Sequence, residues 1–121
     1  MTEKKLQFKK VKDLAYTAIK KKDYQKGKEL LEKAIFIEPN NAEVLNDLGL
    51  LDFNLNNLNK SIEYFKKAIS INPNFSLAIN NLGNVFLKKK DFDNAMQSYN
   101  EAIRIDPKNV YAHYNLGLLH Y

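Results

Sequence analysis

The sequence predicts an all-α protein built from one helix–turn–helix unit, repeated three times and then begun again. Three observations carry that reading. The prolines, Pro39, Pro73 and Pro107, stand 34 residues apart. Gly49, Gly83 and Gly117 keep the same spacing. Between these markers apolar residues recur every three or four positions, as in Leu45, Leu48, Leu51 and Phe53 or Ile62, Phe65 and Ile69. That is the pattern of helices with one buried face, and the period-2 alternation of strands is missing.

The first unit covers 8–41. Its first helix is rich in lysine and has Ala15 at the small position. Asp23-Tyr24 marks the start of its second helix, because Asp accepts hydrogen bonds from the free N–H groups of a first turn. Ala34-Ile35-Phe36-Ile37-Glu38-Pro39 ends it, since proline has no N–H and disfavours helical geometry in the residue before it. The second unit, 42–75, repeats the plan with Gly49, the capping pair Asn57-Leu58 and the stop Ala68 to Pro73. The third, 76–109, has Gly83, Asp91-Phe92 and Ala102 to Pro107. Residues 110–121 restart the motif with Asn115-Leu116-Gly117, so seven helices are predicted.

Glycine inside a helix costs about 1 kcal/mol relative to alanine. Three at one register imply that a neighbouring helix approaches closely there. Gly27, Ser61 and Ala95 share a second small register, and Ala34, Ala68 and Ala102 a third. Leu31, Phe65 and Tyr99 are the large residues to fill the spaces, so the glycines read as packing positions and not as a phosphate loop.

Composition narrows the function classes. The chain has no cysteine, which excludes disulfides, cysteine-ligated zinc and cysteine nucleophiles. No apolar run reaches the roughly 20 residues of a membrane span, and 1–10 lacks the apolar core of a secretory signal, so no membrane association and a cytoplasmic location are expected. The net charge is +5, and the positive excess sits wholly in 1–34, where 11 lysines meet five acids.

The residues resemble the tetratricopeptide repeat family. Ser76 to Asn109 matches best, with Asn81-Leu82-Gly83-Asn84, Asp91-Phe92, Ala95, Tyr99, Ala102 and Pro107 at family positions. The first unit is more degenerate: Ala15 replaces glycine, Gly27 replaces alanine, and Val11 stands where tryptophan is frequent. The resemblance implies a right-handed α-solenoid of three units plus a terminal single helix, together one domain over 1–121. It also implies a protein–protein interaction scaffold whose first helices line a concave groove.

Carried over register by register, the groove would be lined by Lys9, Lys12, Asp13, Tyr16 and Lys20 from the first unit. The second would add Asn46, Asp47, Leu50, Phe53 and Asn54, and the third Leu77, Asn80, Asn81, Asn84 and Lys88. The terminal helix would supply Tyr111, Tyr114, Asn115, Leu118 and Tyr121. Asn81 and Asn115 occupy the register of asparagine ladders in related superhelices, and an amide offers both a donor and an acceptor to a peptide backbone. Lys9 and Lys12 would meet acidic groups, and Leu50, Phe53, Leu77 and Tyr114 apolar anchors. A carboxylate clamp for chaperone tails is not expected, because Tyr16, Asp47, Leu77 and Asn81 depart from its residues and only Lys12 fits.

No catalytic residues, cofactor or metal site are expected. His113 and His120 lie seven apart on one helix, off the i, i+4 spacing of metal pairs. Lys20-Lys21-Lys22 and Lys88-Lys89-Lys90 suggest an alternative, binding of nucleic acid or another polyanion. Acids beside both runs and the single arginine weigh against it. The apolar terminal helix suggests self-association, and if the sequence is a fragment the repeats would be an accessory arm of a larger enzyme. The partner expected foremost is a protein or peptide segment.

Overall fold

The computed structural model describes residues 2–119, and among them seven α-helices and no strand. They are α1 (Glu3–Lys20), α2 (Tyr24–Ile37), α3 (Ala42–Asn54), α4 (Leu58–Ile71), α5 (Ser76–Lys88), α6 (Phe92–Ile105) and α7 (Val110–Leu119). The helix α1 starts ahead of the Phe8 repeat boundary, because Thr2 caps it by accepting from the Lys5 N–H at 3.1 Å.

Each unit is closed by the same two devices. After α1, α3 and α5 the chain reverses through one residue with positive φ: Lys22 (65°), Asn56 (63°) and Lys90 (63°). Backbone bonds Asp23 N–H to Ala18 O (2.9 Å) and Lys22 N–H to Ile19 O (2.9 Å) satisfy the last carbonyls, and the other two turns repeat them. After α2, α4 and α6 the helix stops two residues before proline, with Glu38, Asn72 and Asp106 already extended. Asp23 and Asp91 cap α2 and α6, each accepting an N–H at 3.3 Å. Asn57 does not cap α4; its Nδ2 donates to Asp52 Oδ1 instead, at 3.0 Å.

Within units α1 packs on α2, α3 on α4 and α5 on α6, and across units α2 meets α3, α4 meets α5, and α6 meets α7. Also, the backbones of α3 and α5, and of α5 and α7, come close, whereas those of α2, α4 and α6 stay farther apart. The first helices therefore form the inner, concave side of the stack.

The core runs continuously between the layers. Leu31, Phe65, Tyr99 and the alanines at 34, 68 and 102 are fully buried. A Cβ at Gly49 would lie 2.5 Å from Phe65 Cε1, and one at Gly83 2.6 Å from Tyr99 Cε1. The rings occupy the space the glycines leave. At Gly117 the expected close approach is missing: no described atom comes within 4 Å of the corresponding position.

Candidate functional site: the concave face

The inner face is stitched by side chains that reach from one first helix to the next. Tyr16 on α1 donates its hydroxyl to Asp47 Oδ2 on α3. Asn81 Nδ2 on α5 donates to Asn46 Oδ1 on α3 at 3.0 Å. Asn115 Nδ2 on α7 donates to Asn80 Oδ1 (3.2 Å) and Asn84 Oδ1 (3.0 Å) on α5. Asn84 Oδ1 also accepts the Tyr99 hydroxyl at 2.6 Å, which ties α6 into the same line.

These amides are first of all structural. Asn46, Asn80 and Asn81 are 4%, 2% and 7% exposed, so each spends one end of its amide on a helix–helix bond. Among the described residues Asp52 Oδ2 is the one buried side-chain polar atom without a partner. Asn46 Nδ2, Asn80 Nδ2 and Asn81 Oδ1 are therefore not fully enclosed. Burial pushes the Asp47 carboxyl above its ordinary range, against the Tyr16 hydrogen bond, which lowers it. The same burial, reinforced by the adjacent carboxylate, raises the Tyr16 phenol.

Around this polar line lie the side chains that reach solvent. Leu50, Leu77, Tyr111, Tyr114 and Leu118 are exposed, and so are Lys9, Asp13, Lys20, Asn54 and Lys88. Lys12 and Phe53 are half-buried: the Lys12 ammonium sits 5.3 Å from the centre of the Phe8 ring, and Lys88 covers Phe53 at 5.1 Å. Tyr121 and His120 lie outside the described residues, and His113 Nε2–H donates to the Pro107 carbonyl at 2.8 Å. In the Lys88–Lys90 run each residue has a local role. Lys88 covers Phe53, Lys89 Nζ donates to Asn59 Oδ1 (2.6 Å), and Lys90 makes the turn.

Sequence reasoning missed one constellation. Asp52 is completely buried between units, where Lys28 Nζ lies 2.7 Å from its Oδ1 and Asn57 Nδ2 bonds the same oxygen. Burial, with the nearby Glu32 and Asp52 carboxylates, pushes the neighbouring Tyr64 phenol up to about 12. Among the described residues no helix is long and apolar enough to cross a membrane.

Comparison with known proteins agrees with this architecture. Models described as tetratricopeptide repeat match residues 13–41, 42–75 and 64–97, and one described as TPR repeat matches 83–121. No curated protein matches the sequence. Among solved structures the chain is similar to MamA, with 24% identity and a TM-score of 0.88 over 93% of this chain and 66% of that one. It is similar to the first TPR of Spaghetti (RPAP3), solved with an HSP90 peptide, at 16% identity and TM-score 0.88 over 93% and 90% of the two chains. A mutant Thermobaculum terrenum O-GlcNAc transferase aligns with 24% identity and TM-score 0.88, covering 98% of this chain and 23% of the enzyme. At these identities the likeness is one of fold, and the chain spans less than two thirds of MamA and under a quarter of the transferase.

Proposed function

The chain belongs to the tetratricopeptide repeat family, and from that premise we propose that it is a non-catalytic scaffold holding an extended peptide segment on its concave face. The observation that carries the reading is the amide line along α3, α5 and α7, in which each buried asparagine spends one end on its neighbour and has a second end that is not fully enclosed. Amide donors and acceptors suit a peptide backbone whatever its sequence. Flanking side chains would add selectivity. Lys9 and Lys12 favour acidic residues at the α1 end, and Leu50, Leu77 and Tyr114 favour apolar ones toward α7.

Asp47 beside Lys12 adds negative charge where a terminal carboxylate would have to sit, so an internal segment fits better than a chaperone C-terminus. The fact that the Spaghetti domain was solved with an HSP90 peptide supports peptide binding as the class of activity, and not that ligand.

Leu77 tests this better than the asparagines do, because it is exposed and bonds nothing, whereas Asn81 holds two helices together. Peptides selected from a displayed random library on the wild-type chain are expected to bind Leu77→Asp at least about tenfold more weakly. Phe36→Asp, on the outer side of α2, should leave their binding unchanged. Equal binding by wild type and Leu77→Asp would remove the concave face as the site.

A further inference from the structure

Each unit is an antiparallel helix pair, so the reversals after α1, α3 and α5 all fall on one edge of the stack. Side chains join two of these turns directly. Lys89 Nζ of the third turn donates to Asn59 Oδ1 of the second at 2.6 Å, and Lys88 covers Phe53 at the end of α3. Taken as 20–26, 54–60 and 88–94, the three turns hold eight of the chain's 19 basic residues and three of its 14 acidic ones, a net +5. The remaining 11 of each sign cancel, so the whole net charge of the chain stands on this edge. The opposite edge, made of the proline turns and the start of α1, sets Lys4, Lys5 and Lys108 against Glu3, Glu38, Glu43 and Asp106.

The acids beside the lysine runs, which in the sequence weigh against polyanion binding, have another task in the fold. Asp23 and Asp91 spend their carboxylates on the N–H groups that open α2 and α6. The two ion pairs among the described residues, Lys28–Asp52 and Arg104–Glu101, use no lysine of this edge. All eight lysines are exposed. Lys60, Lys88 and Lys89 lie against Tyr64, Phe53 and Asn59, neutral partners that leave each ammonium its charge. Asn54, Asn56 and Asn59 are exposed between the two lysine runs and add amide groups to the row.

Lysine is a point charge without a fixed fork, so it sets no spacing on the charges it meets. Lysine groups one unit apart therefore suit a ligand charged at every step better than a peptide whose acids must coincide with the turns. A nucleic acid is such a ligand, with about one charge per 1.7 Å of duplex axis, and its phosphate oxygens accept from lysine and asparagine alike. We propose that this edge binds the phosphodiester backbone of a nucleic acid without reading its sequence. The single arginine, Arg104, lies in the last turn of α6, away from the edge, which leaves backbone contact without base readout. The inference is independent of peptide binding and shares only Lys20, Asn54 and Lys88 with the residues of the concave face.

Fluorescence anisotropy with a labelled DNA duplex of about 20 base pairs, and with a single-stranded RNA of the same length, tests the proposal. Binding of either supports it, and the tighter of the two names the source of the backbone. Duplex affinity is expected to fall roughly 500-fold between 50 and 200 mM salt, the loss that about five neutralised phosphates entail. Lys21→Gln, Lys22→Gln, Lys60→Gln and Lys90→Gln, combined, should weaken binding at 50 mM salt at least about tenfold and flatten the salt dependence. Lys4→Gln, Lys5→Gln, Lys66→Gln and Lys67→Gln remove the same charge from the opposite edge and the outer side of α4, and should leave binding within about threefold of wild type. Circular dichroism should show wild-type helicity for both, since none of the eight side chains is buried or ion-paired. No binding of either nucleic acid at 50 mM salt overturns the proposal. So does an equal loss in the two variants, which would assign the binding to overall charge. Displacement of the duplex by poly-L-glutamate as readily as by unlabelled duplex also overturns it, in favour of an acidic protein segment.

Discussion

Between α2 and α3, Lys28 and Asp52 meet at 2.7 Å with Asp52 wholly buried. One unit on, the same two registers hold Ile62 and Phe86, packed on the cluster of Phe65, Leu82 and Val85. The backbone geometry is alike and the chemistry is opposite. The apolar junction gains from burial alone, while the charged one must first strip water from a carboxylate and an ammonium, and Asp52 Oδ2 finds no partner after that. Apolar side chains of similar volume often hold such a junction as well as a buried ion pair or better, so the first junction is expected to be the weaker of the two. In a stack whose units contact mainly their neighbours, the α1–α2 unit should therefore detach first.

Breaking the pair sharpens that contrast most. Lys28→Met leaves a buried carboxylate without its cation and should cost about 3–5 kcal/mol in urea denaturation. Replacing both with apolar side chains of closer volume, Lys28→Met with Asp52→Leu, should bring stability back to within about 1 kcal/mol of wild type or above it. A single variant as stable as wild type would mean the pair does not hold the junction.

The inner seam gives the next largest effect. Asn81→Ala strands the buried Asn46 Oδ1 and is expected to cost about 1–3 kcal/mol. Asn115→Ala should cost a similar amount, because it strands the buried Asn80 Oδ1 even though Asn84 keeps the Tyr99 hydroxyl; a variant as stable as wild type would show that the Asn80 bond does not hold α7 to α5.

Asp47→Asn is a smaller change with a distinctive pH signature. Burial raises the Asp47 carboxyl, so the folded chain holds that proton more tightly than the unfolded chain does. The group's contribution to stability is thus full in acid and is lost as pH rises through its folded value. Asparagine still accepts from Tyr16, so the variant should gain on wild type at neutral pH and lose that advantage in acid. Parallel thermal melts at the two pH values check this, and a constant difference would count against it.

The turns give the smallest effects. Lys22→Gly and Lys90→Gly, at positive φ, should each stabilise by roughly 0.5–1 kcal/mol in urea denaturation, and Asn56→Gly by less because asparagine tolerates that conformation. A loss at either lysine would show that its side chain does more than make the turn.

The helix pairs were legible because proline, glycine and capping residues act through the backbone, where 34-residue spacing is enough to see them. The knobs were legible for a similar reason, since Phe65 and Tyr99 share a register facing Gly49 and Gly83. The ladder was only half legible. Asn81 and Asn115 stood out in register with each other, but each bonds an amide 35 residues back, Asn46 and Asn80, one off the repeat. That offset was present in the sequence and is the signal that would have found the pairs. The Lys28–Asp52 pair had no such signal. Each residue looks like an ordinary surface charge until folding brings α2 against α3, and Asn57, which looks like a cap, is drawn to Asp52 by the same carboxylate.

The seam on one side has a mechanical consequence. First helices are fastened to each other by a line of directed hydrogen bonds, whereas the backbones of α2, α4 and α6 stay farther apart. Opening the curve must stretch the Asn81–Asn46 and Asn115–Asn80 bonds one after another, and closing it meets only the crowding of the inner side chains. The stack should behave as a spring with a toothed inner edge and a smooth outer one, resisting straightening in discrete steps and following small changes of curvature with little resistance.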